Sequence, residues 1–277
     1  MSVYSFLPPS VSQALQKMQI KNKGTATESA EYHQLWNTWI DDFDGCTSKR
    51  EWSITNGIHD ALIQQCAYRS RDHKKFYRFE DDYQYYYHIL LPYENETITW
   101  DQLDTIEPNS YIITSQPNHT GSIHPKLNDL IETCKQRNCH IFLDCAFYGN
   151  SFESLDTSDS VYDAVAFSLS KNFMLAGLRA GIVYGDDLAS SLTIPVHGNN
   201  FNYNYYNIMA VEGAKTVLSQ FDARYVTRAA KPIQLRYCEE NNLTPCQLWM
   251  TAYDGDKRVC VTDYIREEII NELYVSR

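Results

Sequence analysis

Nowhere does this 277-residue chain approach the roughly 18 consecutive apolar residues that a membrane-spanning helix requires. Its opening stretch, MSVYSFLPPSVSQALQKMQIK, also lacks the basic start and apolar run of a leader peptide. The sequence therefore reads as that of a soluble, cytoplasmic protein with no membrane partner. Basic charge is short as well: 24 Lys and Arg stand against 35 Asp and Glu, a formal net charge of −11. Such a balance opposes the phosphate neutralisation on which nucleic-acid affinity rests, and no basic helix-turn-helix segment offsets it, so a nucleic-acid partner is not expected. The eight cysteines form no CxxC pair and no Cys/His ligand spacing, which argues against a zinc site or a redox motif and for reduced packing residues. Internal repeats, low-complexity tracts and long linkers are missing too.

What is present is alternation. Apolar residues at helical spacing predict helices over 11–20, 30–43, 58–68, 124–135, 206–219 and 262–274. Short β-rich runs predict strands at 53–55, 86–91, 111–114, 140–143, 164–167, 180–184, 246–250 and 258–261. Strands alternating with helices imply an α/β fold with a mainly parallel sheet, whose ligands bind where strands end and loops begin. The crowded tyrosines at 83, 85, 86 and 87 read as core and cross-strand packing. An Asn/Tyr-rich patch at 199–206 is the largest change in composition and marks a boundary before the C-terminal part.

Four segments carry candidate chemistry. In SLSKNFMLAGLRAG (168–181), just past a strand, Lys171 has Ser168, Ser170 and Arg179 as neighbours. Alone, such a lysine reads as a solvated loop residue. With its neighbours, it can form an imine with an aldehyde cofactor while the serines and the arginine hold a dianionic phosphate. In TNGIHDAL (55–62), a strand passes through Asn56-Gly57 into a helix whose first N–H groups can face the same phosphate. In YIITSQPNHTG (111–121), Asn118 follows a strand end and can donate to a phenolic oxygen, although the segment is also ordinary turn chemistry. In HIFLDCAFY (140–148), Asp144 ends a buried strand, where a carboxylate needs a partner such as a protonated pyridine nitrogen or a structural cation.

In this order and spacing the four segments resemble the fold type I pyridoxal 5'-phosphate (PLP) enzymes, specifically the class I and II aminotransferases related to aspartate aminotransferase. The resemblance covers about residues 50–190. It implies a Schiff base between PLP and Lys171, with Asp144 at the ring nitrogen, and Gly57, Ile58, His59, Ser168, Ser170 and Arg179 at the phosphate. Asn118 falls on the asparagine of the family's N-P-T-G turn, at the phenolic oxygen and the substrate. Tyr83, in FEDDYQYY, looks like the aromatic that stacks on the ring, and Arg258, in DKRVCVTDY, resembles the arginine that clamps the substrate carboxylate. The implied activity moves an amino group between small-molecule amino-acid and keto-acid substrates, with PLP-dependent lyase, cyclase, racemase or decarboxylase chemistry as the alternative. A non-catalytic ligand-binding protein of the same fold is a further one. The implied organisation is a homodimer of three-part chains: an N-terminal segment (1–40), a PLP-binding large domain (41–205), and a connecting helix with a reduced small domain (206–277).

The chain departs from this pattern in three places. It is short for the family; His119 replaces the proline of N-P-T-G; and Phe147, followed by Tyr148, stands where the family has a tyrosine that donates to the phenolic oxygen. Either Tyr148, a candidate at the cofactor, supplies that hydroxyl through a local shift, or the site is tuned differently; the second is the expectation here.

Overall fold

The β-branched and aromatic runs around 111, 140 and 164 lie side by side at the centre of one sheet in the computed structural model, which describes residues 7–20, 26–40, 45, 51–197 and 208–275. In chain order the elements are α1 (Pro9–Gln16), α2 (Ala26–Trp39), β1 (Glu51–Thr55), α3 (Ile58–Arg69), β2 (Phe76–Phe79), α4 (Tyr86–Leu90) and β3 (Asn95–Ile98). They continue with β4 (Tyr111–Ser115), α5 (Leu127–Arg137), β5 (His140–Asp144), β6 (Tyr162–Ser168), β7 (Gly181–Gly185), α6 (Ser190–His197) and α7 (Ile208–Leu218). The last are α8 (Tyr225–Glu240), β8 (Thr244–Pro245), β9 (Thr251–Asp254), β10 (Lys257–Cys260) and α9 (Thr262–Val275).

Seven strands form one sheet in the order β1-β7-β6-β5-β4-β2-β3. The pairs from β3 through β2, β4 and β5 to β6 are parallel, whereas β7 runs antiparallel to both β6 and β1. This is the mainly parallel α/β architecture that the alternation implies. Strands β4, β6 and β7 are buried at every position, as expected of a sheet covered on both faces. Their side chains alternate between two layers. Ile112, Leu143, Val165 and Phe167 pack in the larger cluster with Trp36, Val211 and Val226 of the flanking helices. Ile113, Phe142, Ala164 and Ala166 pack on the opposite face with Ile58, Ala61 and Leu62 of α3. A second sheet, β10-β9-β8, is antiparallel and lies near the C-terminus.

Several elements differ from the sequence expectation. The run 86–91 is not a strand but the short helix α4: its N–H groups bond locally, Tyr86 to the Tyr83 carbonyl and Tyr87 to that of Gln84, and it buries Tyr86 and Leu90, four residues apart. The spacing of its buried residues is that of a helix, and composition alone misreads it. Residues 246–250 form a turn before β9 because Leu248 N–H is taken by the Thr120 carbonyl. Helix α8 has no counterpart in the sequence expectation; it contains Pro232, which a local reading treats as a stop. Strands β2 and β3 have none either, and β3 exposes most of its short polar sequence at the sheet edge.

At the amino edge of the parallel strands a buried polar network ties the elements together. Arg69 pairs with Asp163, which also accepts from Tyr111 and Gln65, and Arg69 reaches Asp187 at 2.7 Å. Of the seven cysteines in the described residues, Cys260 is half-buried and the other six are buried. Among the described residues no helix is long and apolar enough to cross a membrane, and no cluster of His, Cys, Asp or Glu is arranged to hold a metal. The patch at 199–206 lies outside the described residues.

Candidate active site

Parallel strands deliver their carboxyl ends to the same edge of a sheet, so the residues just beyond them converge there. Here Ser115 ends β4, Asp144 ends β5 and Ser168 ends β6. Glu80 to Asp82 follow β2, Ile58 follows β1 after a two-residue turn, and the reversed strand β7 begins at this edge, just after Arg179. A cavity of about 860 Å³ opens there, and its walls include Ile58, His59, Asp82, Tyr83, Asp144, Ser168, Ser170, Lys171, Arg179 and Arg258. Residues from 58 to 260 in the chain thus share one space.

One end of this cavity is built for an anion. Gly57 precedes α3 with φ +84° and ψ 176°, a conformation that only glycine adopts readily. A Cβ there would lie 3.3 Å from Arg179 Nη2, so the bare backbone lets the guanidinium approach the first turn of the helix. Gly181 is equally constrained, since a Cβ would meet Gly57 Cα at 2.9 Å. Asp60 accepts the Asn56 N–H at 3.0 Å and so fixes the turn into the helix. His59 is held below its ordinary pKa, first by burial and then by Arg179, although Asp60 acts the other way. Among the described residues Arg179 has no carboxylate partner, and Ser168 and Ser170 border the same space.

The loop that carries Lys171 is anchored from behind. Asn172 is fully buried and its amide donates to the carbonyls of Tyr148 and Ala223. Gly149 makes room for it: a Cβ at that positive-φ position would overlap Asn172 Nδ2. Lys171 itself faces the cavity, its Nζ 5.7 Å from the centre of the Phe147 ring.

The opposite end is acidic. Asp144 is buried; Tyr86 donates to its Oδ2 at 2.5 Å and Ala146 N–H to its Oδ1 at 2.8 Å. Burial raises its pKa, while Tyr86, Ala146 and the charge of Lys171 act to lower it. Asp82, buried beside it, has its pKa raised well above the usual carboxylate range, chiefly by burial. Neither Asp82 nor Tyr86 is singled out by the sequence as a site residue. Asp82 lies in the bend before α4 and Tyr86 opens that helix, so no periodic spacing marks the pair in the sequence.

The second sheet closes the cavity. Gly121 approaches so near that a Cβ would overlap the backbone nitrogen of Leu248, and this contact sets the 246–250 turn against the Asn118–Gly121 turn. Beyond it, Arg258 of β10 lines the cavity along with Val259 and Cys260. Burial lowers its pKa, and among the described residues no carboxylate compensates it. Tyr83 stands at the mouth, 59% exposed, with its ring edge-on to Tyr86 at 5.7 Å. His119 borders the cavity, whereas the neighbouring Asn118 side chain caps its own turn, its Oδ1 accepting from the N–H and hydroxyl of Thr120 at 2.9 and 2.7 Å. Tyr148 does not reach the cavity. It is Phe147 that faces inward, and the Tyr148 ring packs against Trp39 and Phe167 with its hydroxyl donating to the Trp39 carbonyl at 3.0 Å. The candidate placement of Tyr148 at the cofactor is therefore corrected, and the local shift does not occur: consecutive residues in this turn point to opposite sides.

Comparisons with known proteins give one consistent result. The family described as "Aminotransferase class I and II" matches residues 59–239. Rice (Oryza sativa subsp. japonica) 1-aminocyclopropane-1-carboxylate synthase 6 is 31% identical over 93 residues, which take in 28% of this chain and 17% of the rice protein. Among solved structures, the probable N-succinyldiaminopimelate aminotransferase of Thermus thermophilus superposes with a TM-score of 0.63 at 13% identity, covering 100% of this chain and 94% of that one. Tyrosine aminotransferase of Leishmania infantum gives 0.65 at 11% identity, over 90% and 78% of the two chains. A PLP-bound C-S lyase of Staphylococcus hominis, in complex with L-cycloserine, gives 0.65 at 13% identity, over 98% and 85%.

Proposed function

The chain belongs to the class I and II aminotransferases, a family dependent on pyridoxal 5'-phosphate, and we propose that it uses this cofactor to move an amino group between an amino acid and a keto acid. The observation that carries the reading is the make-up of one cavity: two arginines that have no carboxylate partner among the described residues, a buried acid at the far end from one of them, and a lysine amine between. That donor set matches a ligand bearing a phosphate, a cationic ring nitrogen and an aldehyde, together with a second molecule bearing a carboxylate. The space that Gly57 leaves beside Arg179 fits the phosphate in particular, because a side chain there would fill it.

When bound, the cofactor supplies an electron sink for the bonds at the substrate's Cα. The chain does the rest. Ser168, Ser170, Arg179 and the first N–H groups of α3 hold the phosphate by charge-assisted hydrogen bonds. Asp144, oriented by Tyr86 and Ala146, faces the ring nitrogen. Lys171 would anchor the aldehyde carbon and, once displaced by the substrate amine, would take the proton from the substrate Cα and return it across the nitrogen to that former aldehyde carbon. Arg258 orients the substrate by its carboxylate, and Tyr83 covers the ring from the mouth.

A second reading, elimination of a substituent from the substrate, is favoured by one observation. Phe147 presents no hydroxyl to the cavity, and C-S lyases match the fold as well as aminotransferases do. The test is absorbance and product analysis of PLP-loaded protein given single amino acids. Amino-group transfer yields one equivalent of keto acid and then stops until a keto acid is added; elimination yields ammonia continuously. Lys171→Ala is expected to lose the visible absorbance of the lysine-held cofactor and to slow turnover by at least roughly 10²-fold. Wild-type spectrum and rate in that variant would overturn the assignment.

A further inference from the structure

Asp82 is a buried carboxylate that the proposed chemistry leaves unused. It is 9% exposed and lines the cavity, yet the charged groups that act on it most are Asp81 of its own loop and Asp144 of β5, both acidic. Its polar contacts come from β4: the Ser115 N–H donates to its two oxygens at 3.3 and 3.2 Å, and the Thr114 side chain hydrogen-bonds it. Ser115 lies directly across from Asp144 in the β4–β5 ladder, and its side chain also hydrogen-bonds the Tyr86 phenol. Tyr86, fully surrounded by protein, donates in turn to Asp144. Ser115 thus stands between the two acids, its N–H on Asp82 and its side chain, which donates to the Pro117 carbonyl at 3.3 Å, beside the Tyr86 phenol that donates to Asp144; Lys171 is the cation that acts on the Asp144 end. A carboxylate kept from water beside a second one is costly unless a positive charge is supplied there. An asparagine would keep one oxygen for the Ser115 N–H without that cost.

We propose that Asp82 is a positioning residue for the ring-nitrogen end of the cavity, acting through Ser115, Tyr86 and Asp144 so that a bound pyridine ring stays protonated into alkaline pH. The inference rests on the cofactor reading above and adds to it a second counter-charge, one that does not touch the ring. Burial, which raises the proton affinity of both acids, supports it: an empty cavity retains protons that a cationic ring displaces. Tyr86 is likewise pushed well above its ordinary pKa, by burial first and then by Asp144 and Asp82, so it remains a donor throughout.

The experiment is a pH titration of the ring nitrogen by ¹⁵N resonance, with ring-labelled PLP bound to the full chain, in wild type, Asp82→Asn, Tyr86→Phe and Asp144→Asn. Asp82→Asn keeps the size and the hydrogen-bonding oxygen of the side chain and is expected to lose the ring proton about one pH unit lower than wild type. Tyr86→Phe, which removes the phenol without altering charge, is expected to shift the titration in the same direction. A titration unchanged in Asp82→Asn overturns the proposal. Should the ring keep its proton in Asp144→Asn as well, the cofactor reading itself fails; a shift in Asp144→Asn alone removes only the role of Asp82.

Discussion

At the scale of single residues, the site sets two arginines that have no carboxylate partner among the described residues in one cavity with a buried acid and a lysine. Arg258 illustrates the logic: it is an arginine on a small antiparallel sheet that faces a cavity without an acid to offset it. Arg258→Ala is expected to lower kcat/KM for amino acids by about 10- to 100-fold, the value of a charged hydrogen-bonded contact, while PLP affinity stays within about twofold of wild type. Steady-state kinetics beside a cofactor titration checks both halves, and equal losses in the two would refute a substrate role. Asp144, Ser168 and Lys171 can be picked out of the sequence because each follows a recognisable strand run, and Arg179 because it directly precedes one. Asp82 and Tyr86 cannot. Tyr86 acquires meaning only from Asp144, 58 residues away, and Asp82 only from Ser115, 33 residues away.

At the scale of elements, glycines set how closely the parts of the cavity approach. Gly57→Ala places a methyl group 3.3 Å from the Arg179 guanidinium at a backbone conformation that disfavours any side chain. The expected result is a loss of about 1–3 kcal/mol of stability in urea denaturation, accompanied by weaker binding of PLP than of its unphosphorylated form, pyridoxal, relative to wild type. Equal weakening of the two ligands would show that the turn does not serve the phosphate. Element type is legible where length and spacing agree, as in α3, α5, β4 and β5. It fails where a short aromatic run could be either state, as in α4, and where a proline sits inside a helix, as in α8. In both cases tertiary burial decides what local composition leaves open.

At the scale of the whole molecule, the sheet separates two edges with different work. The amino edge buries the Arg69–Asp163 network, whose members satisfy one another; the carboxyl edge gathers groups that need something from outside. Beside the cavity mouth, Tyr83, Tyr85 and Tyr87 are all more than 40% exposed, and the Tyr85 ring lies 5.0 Å from His59 and 5.2 Å from His88. We propose that a second copy of the chain covers this aromatic strip, consistent with the homodimer that the sequence resemblance implies. Sedimentation of PLP-loaded protein at micromolar concentration is expected to give a dimer, and Tyr85→Glu is expected to shift it toward monomer; a wild-type monomer would contradict the proposal.

The reversal of β7 has a mechanical consequence. Because that strand starts where β6 finishes, Lys171 and Arg179 belong to one short excursion between neighbouring, directly bonded strands, and any tilt of that hairpin carries both together. Arg258 hangs from a different sheet altogether. The proposed grip on the coenzyme and the proposed grip on the incoming amino acid therefore sit on separate mountings.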